Sequence, residues 1–344
     1  MTMKAMVLNR ICSLSDEKEP LMFAELPVPS PAEGDILVRI AACGVCHTEL
    51  DEIEGRTAPP ALPIIPGHQV VGHVEVLGKG AHRFAVEDRV GIAWINSSCG
   101  KCAFCLGGRE NLCTEFRATG RDVNGGYAEY TTVSEDFAFG IPDIFSDVEA
   151  APLLCAGAVG YRSLMLAGLK NGQTLGLIGF GASAHIVLQL ARHIYPDSKI
   201  LVMSRTEDER EFALTLGAAW AGGFDDLLPQ KLDSAIDTTP VWKPVADIMK
   251  NIERGGRLVI NAIRKEDTDK ESLLGIDYSR DLWMEKEIKS VANVTRRDVE
   301  EFLKIAAEIH VRPEIQEYGL AEANRALVEL KQRKIRGAKV LKIS

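Results

Sequence analysis

Residues 46–49, read Cys-His-Thr-Glu, place a thiol, an imidazole, a hydroxyl and a carboxylate side by side. They follow an alternating apolar run, residues 36–42, which predicts a strand that ends at this cluster. By itself the cluster fits a simple turn with a buried cysteine equally well. Two distant segments, 66–69 and 151–157, add His68 and Cys155 to Cys46. A Cys/His/Cys set supplies three zinc ligands and leaves a fourth position open for water or substrate, so these segments indicate a catalytic metal site.

Four cysteines are compressed into fifteen residues with the spacing Cys-x2-Cys-x2-Cys-x7-Cys; they are Cys99, Cys102, Cys105 and Cys113. Four thiolates make a closed tetrahedral zinc site, which stabilises a lobe without taking part in the reaction. An iron–sulfur cluster is the alternative because its ligands are also four cysteines, but the bacterial ferredoxin spacing has a short third interval followed by proline. The sequence therefore predicts structural zinc. So compact a group also favours metal binding in a reducing cytosol over disulfides.

A glycine-rich turn, Gly179-x-Gly181-x-x-Ala184, follows an apolar strand pattern and opens a helical pattern. In that context the first glycine allows the turn, and the second lets the backbone approach a pyrophosphate at the helix N-terminus. Alanine in third place still permits close packing of helix and strand. The alternative is an ordinary glycine loop without a ligand.

The residues that end the second strand of this region indicate which dinucleotide binds. NAD enzymes usually carry an acidic residue there to hold the ribose 2′-hydroxyl. This chain has Ser204 and Arg205, and a guanidinium group binds phosphate well. NADP(H) is therefore favoured over NAD(H). The competing interpretation is an exposed loop arginine beside the acidic residues 207–209.

The bulk composition describes an ordinary globular chain. Its 344 residues exceed the size at which one core keeps growing, which favours two domains, and 46% of them are apolar and 26% charged. A net charge of −9 with no long basic run argues against a nucleic-acid partner. The most apolar window, residues 150–169, contains Pro152 and Arg162 and suits a buried segment better than a membrane span. The N-terminus lacks the features of a secretory signal, so we expect a cytoplasmic protein without membrane partners.

The pattern of elements changes after Cys155. Up to about residue 140, short strands punctuated by Gly and Pro predict a partly open β-barrel. Beyond Cys155, strands and helices alternate, which predicts a doubly wound parallel sheet. The predicted strands are 175–180, 199–203, 234–237, 257–261 and 288–292, and the predicted helices are 182–194, 207–216 and 245–252. Helices at 298–308 and 321–332 and a strand at 338–343 complete the expectation.

Together these motifs resemble the zinc-dependent medium-chain dehydrogenase/reductase family, in its alcohol dehydrogenase branch, over essentially the whole chain. The resemblance implies an α/β fold: a β-barrel-like (GroES-like) catalytic domain, residues 1–155, with the structural zinc lobe at 99–113. A Rossmann domain, 156–292, then precedes a C-terminal segment, 293–344, that returns to the catalytic domain. The resemblance makes Cys46, His68 and Cys155 the catalytic zinc ligands.

The remaining roles implied by the resemblance concern the reaction itself. Thr48 is the hydroxyl that takes the alcohol proton, Glu49 a carboxylate that supports the metal site, and Trp94 a pocket-lining aromatic. Because His47 adjoins a metal ligand, we expect it to contact a cofactor phosphate. Many members carry a histidine three residues after the relay hydroxyl, where this chain has Asp51, so the relay ends at Asp51 or runs through water and the ribose.

Two further positions depart from the family pattern. Gln69 stands where the family often has Glu after the zinc histidine, which removes a carboxylate that could bind the metal transiently. A phosphate-binding arginine expected in the last strand aligns with Ala338, with Arg336 two residues earlier.

The predicted function is reversible, zinc-dependent hydride transfer between NADP(H), or less favourably NAD(H), and a primary alcohol/aldehyde pair, with two zinc ions per chain. A secondary-alcohol or polyol dehydrogenase shares the same motifs. An enoyl or quinone reductase would normally lack the Cys/His/Cys set. A non-catalytic, zinc-stabilised binding or redox-sensing protein is the alternative from another class. The expected partners are a small alcohol or aldehyde and a second copy of the chain, since the family implies a homodimer or homotetramer.

Overall fold

The computed structural model describes residues 1–332 and 337–344. Its strands in chain order are β1 Thr2–Leu8, β2 Leu21–Pro27, β3 Asp35–Val45, β4 Val70–Leu77, β5 Arg89–Ile92, β6 Ile95–Ser97, β7 Arg117–Ala118, β8 Tyr130–Ser134, β9 Ala138–Gly140, β10 Thr174–Ile178, β11 Lys199–Met203, β12 Trp220–Gly222, β13 Leu232–Asp237, β14 Ile252–Ile260, β15 Glu287–Ser290, β16 Ile315–Gly319 and β17 Ala338–Lys342. Arg336 lies outside the described residues.

The α-helices in chain order are α1 His47–Ile53, α2 Ala103–Leu106, α3 Asp147–Ala150, α4 Ala156–Ala167, α5 Ala184–Ile194, α6 Glu207–Thr215, α7 Lys243–Met249, α8 Arg296–Glu308 and α9 Ala323–Lys331. One helical stretch, Asp147–Ala167, is long and apolar enough by length and composition to cross a membrane. In the structure 67% of its apolar window is buried, as in the core helix of a globular protein.

The chain divides into two compact units, and the first comprises Met1–Cys155 and Val294–Ser344. Its main sheet, among the described residues, has the order β16-β17-β3-β4-β5-β9, with β8 paired to β3. The long strand β3 is almost continuously apolar and buried, and it pairs antiparallel with β4, β8 and β17 along its two edges. Since β3 ends one residue before Cys46, the most heavily paired strand of this unit delivers the first candidate ligand.

The second unit, Ala156–Asn293, is described throughout and contains a parallel sheet of order β12-β11-β10-β13-β14-β15. This is the order of a Rossmann fold, in which ligands bind at the carboxyl ends of the strands where the order reverses, here between β10 and β13. The core of this unit packs α7 against β13 and β14 through Val245, Ile248 and Met249. The Rossmann sheet predicted from the strand and helix alternation is confirmed.

Several elements differ from the sequence expectation. The helix α1 begins at His47, inside the segment that we described only as the end of a strand. The short strands β12 and β16 were not predicted, because three to five residues carry too little periodicity to indicate a strand. The helices predicted at 245–252 and 321–332 lie at Lys243–Met249 and Ala323–Lys331.

Candidate functional site

The structure brings Cys46, His68 and Cys155 together. Their donor atoms all lie within 4.8 Å of one another, and the Sγ atoms of Cys46 and Cys155 are 4.0 Å apart. Two sulfurs bound to one zinc at about 2.3 Å in tetrahedral geometry would be about 3.8 Å apart. Among the described residues His68 Nε2 is buried and has no hydrogen-bond partner, so its lone pair is available to a metal ion. The three residues therefore fit a divalent metal with an open coordination position.

The electrostatics of this group also suit a cation. The Cys155 thiol, and then the His68 imidazole, lower the pKa of Cys46 well below its usual value. The neighbouring Cys46 and then burial raise the pKa of Cys155 well above its usual value. Burial lowers the pKa of His68, but the charges of Glu49 and Cys46 outweigh it and raise the pKa well above the ordinary value. Two thiols compete for one negative charge here, and a metal ion would allow both to ionise.

The helix α1 places the residues that surround this group. Glu49 accepts the backbone N–H of Cys46 at 2.8 Å and lies 2.6 Å from His68 Nδ1, so it caps the helix and orients the imidazole. Thr48 is 8% exposed, and its Oγ1 lies 3.6 Å from Cys46 Sγ. His47 is exposed at the first position of the helix. Asp51 is buried, and its carboxylate accepts a hydrogen bond of 2.5 Å from Arg56 Nε.

His68 is held in place by the glycine before it. Gly67 has φ +96°, a left-handed conformation that disfavours other residues. A Cβ atom there would also lie 2.4 Å from the Tyr127 ring. Only glycine fits this turn, which directs His68 towards Cys46. Gln69, the position of the family's usual Glu, is buried with its side chain against Gly44 of β3.

The four cysteines of residues 99–113 also converge, and their Sγ atoms all lie within 4.8 Å of one another. Backbone N–H groups of Cys99 and Glu115 point at Cys113 Sγ at 3.5 and 3.3 Å. The backbone amides of Lys101 and Cys102 lower the pKa of Cys99 to about 7. Amides that surround sulfurs in this way stabilise thiolates, so the lobe fits a closed four-sulfur metal site.

The glycine motif lies between β10 and α5, at the carboxyl edge of the parallel sheet. Gly179 has φ +83°, and a Cβ atom there would lie 2.8 Å from Thr238 Oγ1 at the end of β13. Gly181 has open space around its Cα, and Ala184 is the buried first residue of α5. The backbone is thus exposed at the N-terminus of the helix, as pyrophosphate binding requires.

A cavity of about 340 Å³ lies at the same edge of this unit. Arg205 lines it, whereas the Ser204 hydroxyl is buried and donates a hydrogen bond to the Glu209 carboxylate. Four carboxylates share the lining: Asp225, Asp226, Asp247 and Asp269. Three of them are already engaged. Asp247 pairs with Lys243 and Lys250, Asp226 accepts the backbone N–H of Gly223 at 2.7 Å, and Asp269 accepts the backbone N–H groups of residues 242 and 243.

Trp94 is half-buried after β5, and its ring centroid lies 5.1 Å from that of Phe116. Its neighbour Glu52 is 1% exposed and was not singled out from the sequence. Burial, and then the charge of Glu49, raise the pKa of Glu52 well above its usual value. The signal in the sequence that could have indicated Glu52 is its position three residues after Glu49, which places both carboxylates near each other on one helix.

A second buried group that the sequence analysis missed is the ion pair of Asp237 with Lys265, at the end of β13. Asp237 is fully buried and the Lys265 side chain is 5% exposed. Lys265 Nζ also donates to the carbonyl oxygens of Thr239 and Val241 at 2.7 and 2.9 Å. Since Val241 lines the cavity, Lys265 fixes the loop on one side of it.

Comparison with known proteins places these geometries in context. The family model for the alcohol dehydrogenase GroES-like domain matches residues 32–143. The chain is 43% identical to a probable alcohol dehydrogenase AdhA of Mycobacterium tuberculosis, over 94% of this chain and 93% of the relative. It is 35% identical to an alcohol dehydrogenase of Geobacillus stearothermophilus, over 99% of both chains. The structure of the alcohol dehydrogenase from Aeropyrum pernix superposes with a TM-score of 0.85 at 25% identity, covering 98% of this chain and 99% of that one.

Proposed function

Because this chain belongs to the zinc-dependent medium-chain dehydrogenase/reductase family, in its alcohol dehydrogenase branch, we propose that it transfers hydride reversibly between NADP(H) and a primary alcohol/aldehyde pair. The observation that carries the proposal is the convergence of Cys46, His68 and Cys155 with a buried, unpartnered imidazole nitrogen. A closed structural site would use a fourth protein ligand, and this group offers three.

Cys46, His68 and Cys155 would hold a zinc ion, which would supply a Lewis acid that lowers the pKa of an alcohol and polarises a carbonyl. The Thr48 hydroxyl, 3.6 Å from Cys46 Sγ, accepts the alcohol proton. Glu49 keeps His68 in the tautomer whose Nε2 is free to bind a metal. Asp51, which is buried on the same helix and hydrogen-bonded to Arg56, is the proposed onward proton acceptor.

Cofactor binding is proposed at the carboxyl edge of the parallel sheet. The turn of Gly179 and Gly181 with Ala184 would receive the pyrophosphate, with His47 as a further phosphate contact. Arg205, in the wall of the 340 Å³ cavity, would bind a 2′-phosphate, while Ser204 is held by Glu209. NAD(H) is the second candidate, because the cavity wall carries four carboxylates that oppose a further negative charge.

We further propose that Cys99, Cys102, Cys105 and Cys113 hold a second, structural zinc ion. Their Sγ atoms are close enough for one shared ion, and the short helix α2 and the following turn keep them so. Without the ion, four thiols would meet with little apolar packing to hold the lobe together, since α2 has no buried residue.

The chain is proposed to act as a homodimer or homotetramer. The edge strand β15 has every residue exposed, and Tyr278 and Trp283 nearby are 63% and 62% exposed. An open strand edge beside large apolar side chains is a favourable contact for a second copy. Light scattering after gel filtration measures the assembly, and a monomer at micromolar concentration would contradict it.

The testing experiment is steady-state reduction of one aromatic and one aliphatic aldehyde by the zinc-loaded protein, with NADPH and with NADH. We expect turnover with both aldehydes and a lower KM for NADPH. Cys46→Ser should abolish turnover while the structural zinc stays bound. Full activity in Cys46→Ser would remove the metal site from the reaction. Absence of turnover with every alcohol and carbonyl, despite bound zinc and cofactor, would favour a non-catalytic binding protein.

A further inference from the structure

Two buried polar groups of opposite hydrogen-bonding type remain unsatisfied close to the candidate metal site. Both carboxylate oxygens of Glu52 lack a hydrogen-bond partner within the described part of the chain, and so does the indole Nε1–H of Trp94. Glu52 is 1% exposed, so solvent does not satisfy it. Buried polar atoms are almost always paired, and leaving a carboxyl group and an N–H group unpaired is costly.

The two groups belong to one site. Burial and the charge of Glu49 raise the pKa of Glu52, and the Trp94 indole is near enough to offset part of that rise, but no hydrogen bond of ordinary geometry joins the two side chains. A group that hydrogen-bonds to both side chains would therefore satisfy the Glu52 carboxyl group and the Trp94 N–H together. His68 and Cys46 also act electrostatically on Glu52, which places this site beside the candidate metal ligands.

Helix geometry directs Glu52 towards the reacting groups. At about 100° per residue, Glu52 lies about 40° round the α1 axis from Thr48 and about 60° from Glu49, between the directions of these two side chains. Thr48 is the proposed proton acceptor, and Glu49 contacts His68. Glu52 thus projects from the same helix face as the groups that serve the reaction.

The hydrogen-bonding needs of the Glu52 carboxyl group and the Trp94 indole N–H define which chemical group can bind between them. An ammonium group cannot accept a hydrogen bond from the indole N–H, and a carboxylate cannot donate one to Glu52. A hydroxyl group both donates and accepts, and it suits the Glu52 carboxyl group in either protonation state.

We propose that Glu52 and Trp94 bind a second hydroxyl group of the substrate, so that the enzyme prefers diols and hydroxyaldehydes to simple alcohols and aldehydes of equal length. This inference rests on the proposed alcohol dehydrogenase function. Glu52 and Trp94 are then specificity residues, and the reacting oxygen still goes to the metal and Thr48.

The experiment compares kcat/KM for butan-1-ol with that for butane-1,2-, 1,3- and 1,4-diol, since the structure does not fix the spacing of the two hydroxyls. At least one diol should exceed butan-1-ol by about 10- to 100-fold, the effect of one hydrogen bond to a buried charged or polar group. Glu52→Leu, which keeps the volume, and Trp94→Phe, which keeps a ring but loses the N–H, should each reduce that ratio. The double variant should lose little more than either single one, because the same hydroxyl serves both.

An equilibrium measurement accompanies the kinetics. The difference between the tryptophan emission of the wild type and that of Trp94→Phe isolates Trp94, and the preferred diol should change it at concentrations where butan-1-ol does not. Glu54→Gln is the matched control, because Glu54 also has a buried carboxylate but already accepts the Leu14 N–H at 2.9 Å and pairs with Arg56 and Lys331. It should lower thermal stability and leave the diol ratio as in the wild type.

The possible results distinguish failure of this inference from failure of the proposed function. A wild type that shows no diol preference, or a ratio that Glu52→Leu and Trp94→Phe leave unchanged, would mean that a structural water fills the site, and the inference would be overturned. Activity on simple alcohols would still uphold the proposed function in that case. No turnover with any of the four substrates would instead remove the proposed function, and the inference with it.

Discussion

Replacing Lys265 with methionine should destabilise the Rossmann unit strongly. The substitution keeps the side-chain length but removes the ammonium group that pairs with Asp237 and donates to two carbonyl groups. Asp237 is fully buried, and Thr239 Oγ1 at 2.7 Å would remain as its side-chain donor. Removing one partner of a buried ion pair costs about 3–5 kcal/mol, because the other charge stays buried without compensation. For a unit of this size that corresponds to a fall in Tm of about 10–15 °C.

The loss should depend on pH in a defined direction. Burial raises the pKa of Asp237 in the folded protein above the ordinary value of an aspartate, although Lys265 opposes the rise. A raised folded pKa means that this group favours folding most below the unfolded pKa, and that the benefit disappears as pH rises through the folded pKa. Without Lys265 the folded pKa rises further, so the variant should be least stable relative to wild type at pH 7.5 and should recover towards pH 5.

Thermal unfolding at pH 5 and pH 7.5, followed by circular dichroism, measures both effects. Lys270→Met is the matched control, because Lys270 lies in the same segment and pairs with Asp267 at 3.4 Å on the exposed surface. It should change Tm by less than about 2 °C, since exposed pairs contribute little. A Lys265→Met variant that matches this control, or one whose deficit is the same at both pH values, would refute the role given to the buried pair.

Three further outcomes are expected. Cys99→Ser should lower bound zinc by about one ion per chain, measured by plasma mass spectrometry, with a lower Tm; an unchanged zinc content would exclude the four-cysteine lobe as a metal site. Arg205→Gln should raise the KM for NADPH by about 10-fold or more and that for NADH little, because a charged hydrogen bond to phosphate is lost; equal changes would place the 2′-phosphate elsewhere. Lys339→Met should lower the free energy of unfolding by about 1–2 kcal/mol in urea, because the Tyr318 hydroxyl and the partly exposed Glu329 lose a charged hydrogen-bond partner; wild-type stability would show that the three side chains repack.

Much of the fold was predictable because its signals are local. Strand β11, Lys199–Met203, lies where its apolar pattern placed it, and the glycine motif lies between a strand and a helix as its context required. The four cysteines of residues 99–113 lie so close in the chain that a short segment can bring their sulfur atoms together. Their spacing alone therefore indicates the cluster. The parallel sheet followed from the alternation of strands and helices after Cys155.

The rest depends on the path that the chain takes between its strands and helices. That Asp51 is held by Arg56 requires the return of the chain after α1, which no periodicity encodes. Glu52 reads as an ordinary polar residue until Trp94 and Glu49 are placed around it. Lys265 lies shortly after β14 and meets Asp237 because β14 pairs with β13, so charge alone could not pair them.

The pairing of β17 with β3 has a consequence for synthesis of the protein on the ribosome. Residues Lys339–Lys342 pair with Ala42–Val45, immediately before Cys46. The strand that leads to the first candidate metal ligand therefore cannot complete its pairing until a segment about 300 residues further along the chain has been synthesised. Unit Ala156–Asn293 is one uninterrupted segment and can fold as soon as it leaves the exit tunnel. The nascent chain should therefore complete the unit Ala156–Asn293 first, and the unit that contains β3 should become resistant to protease only once β17 has left the exit tunnel.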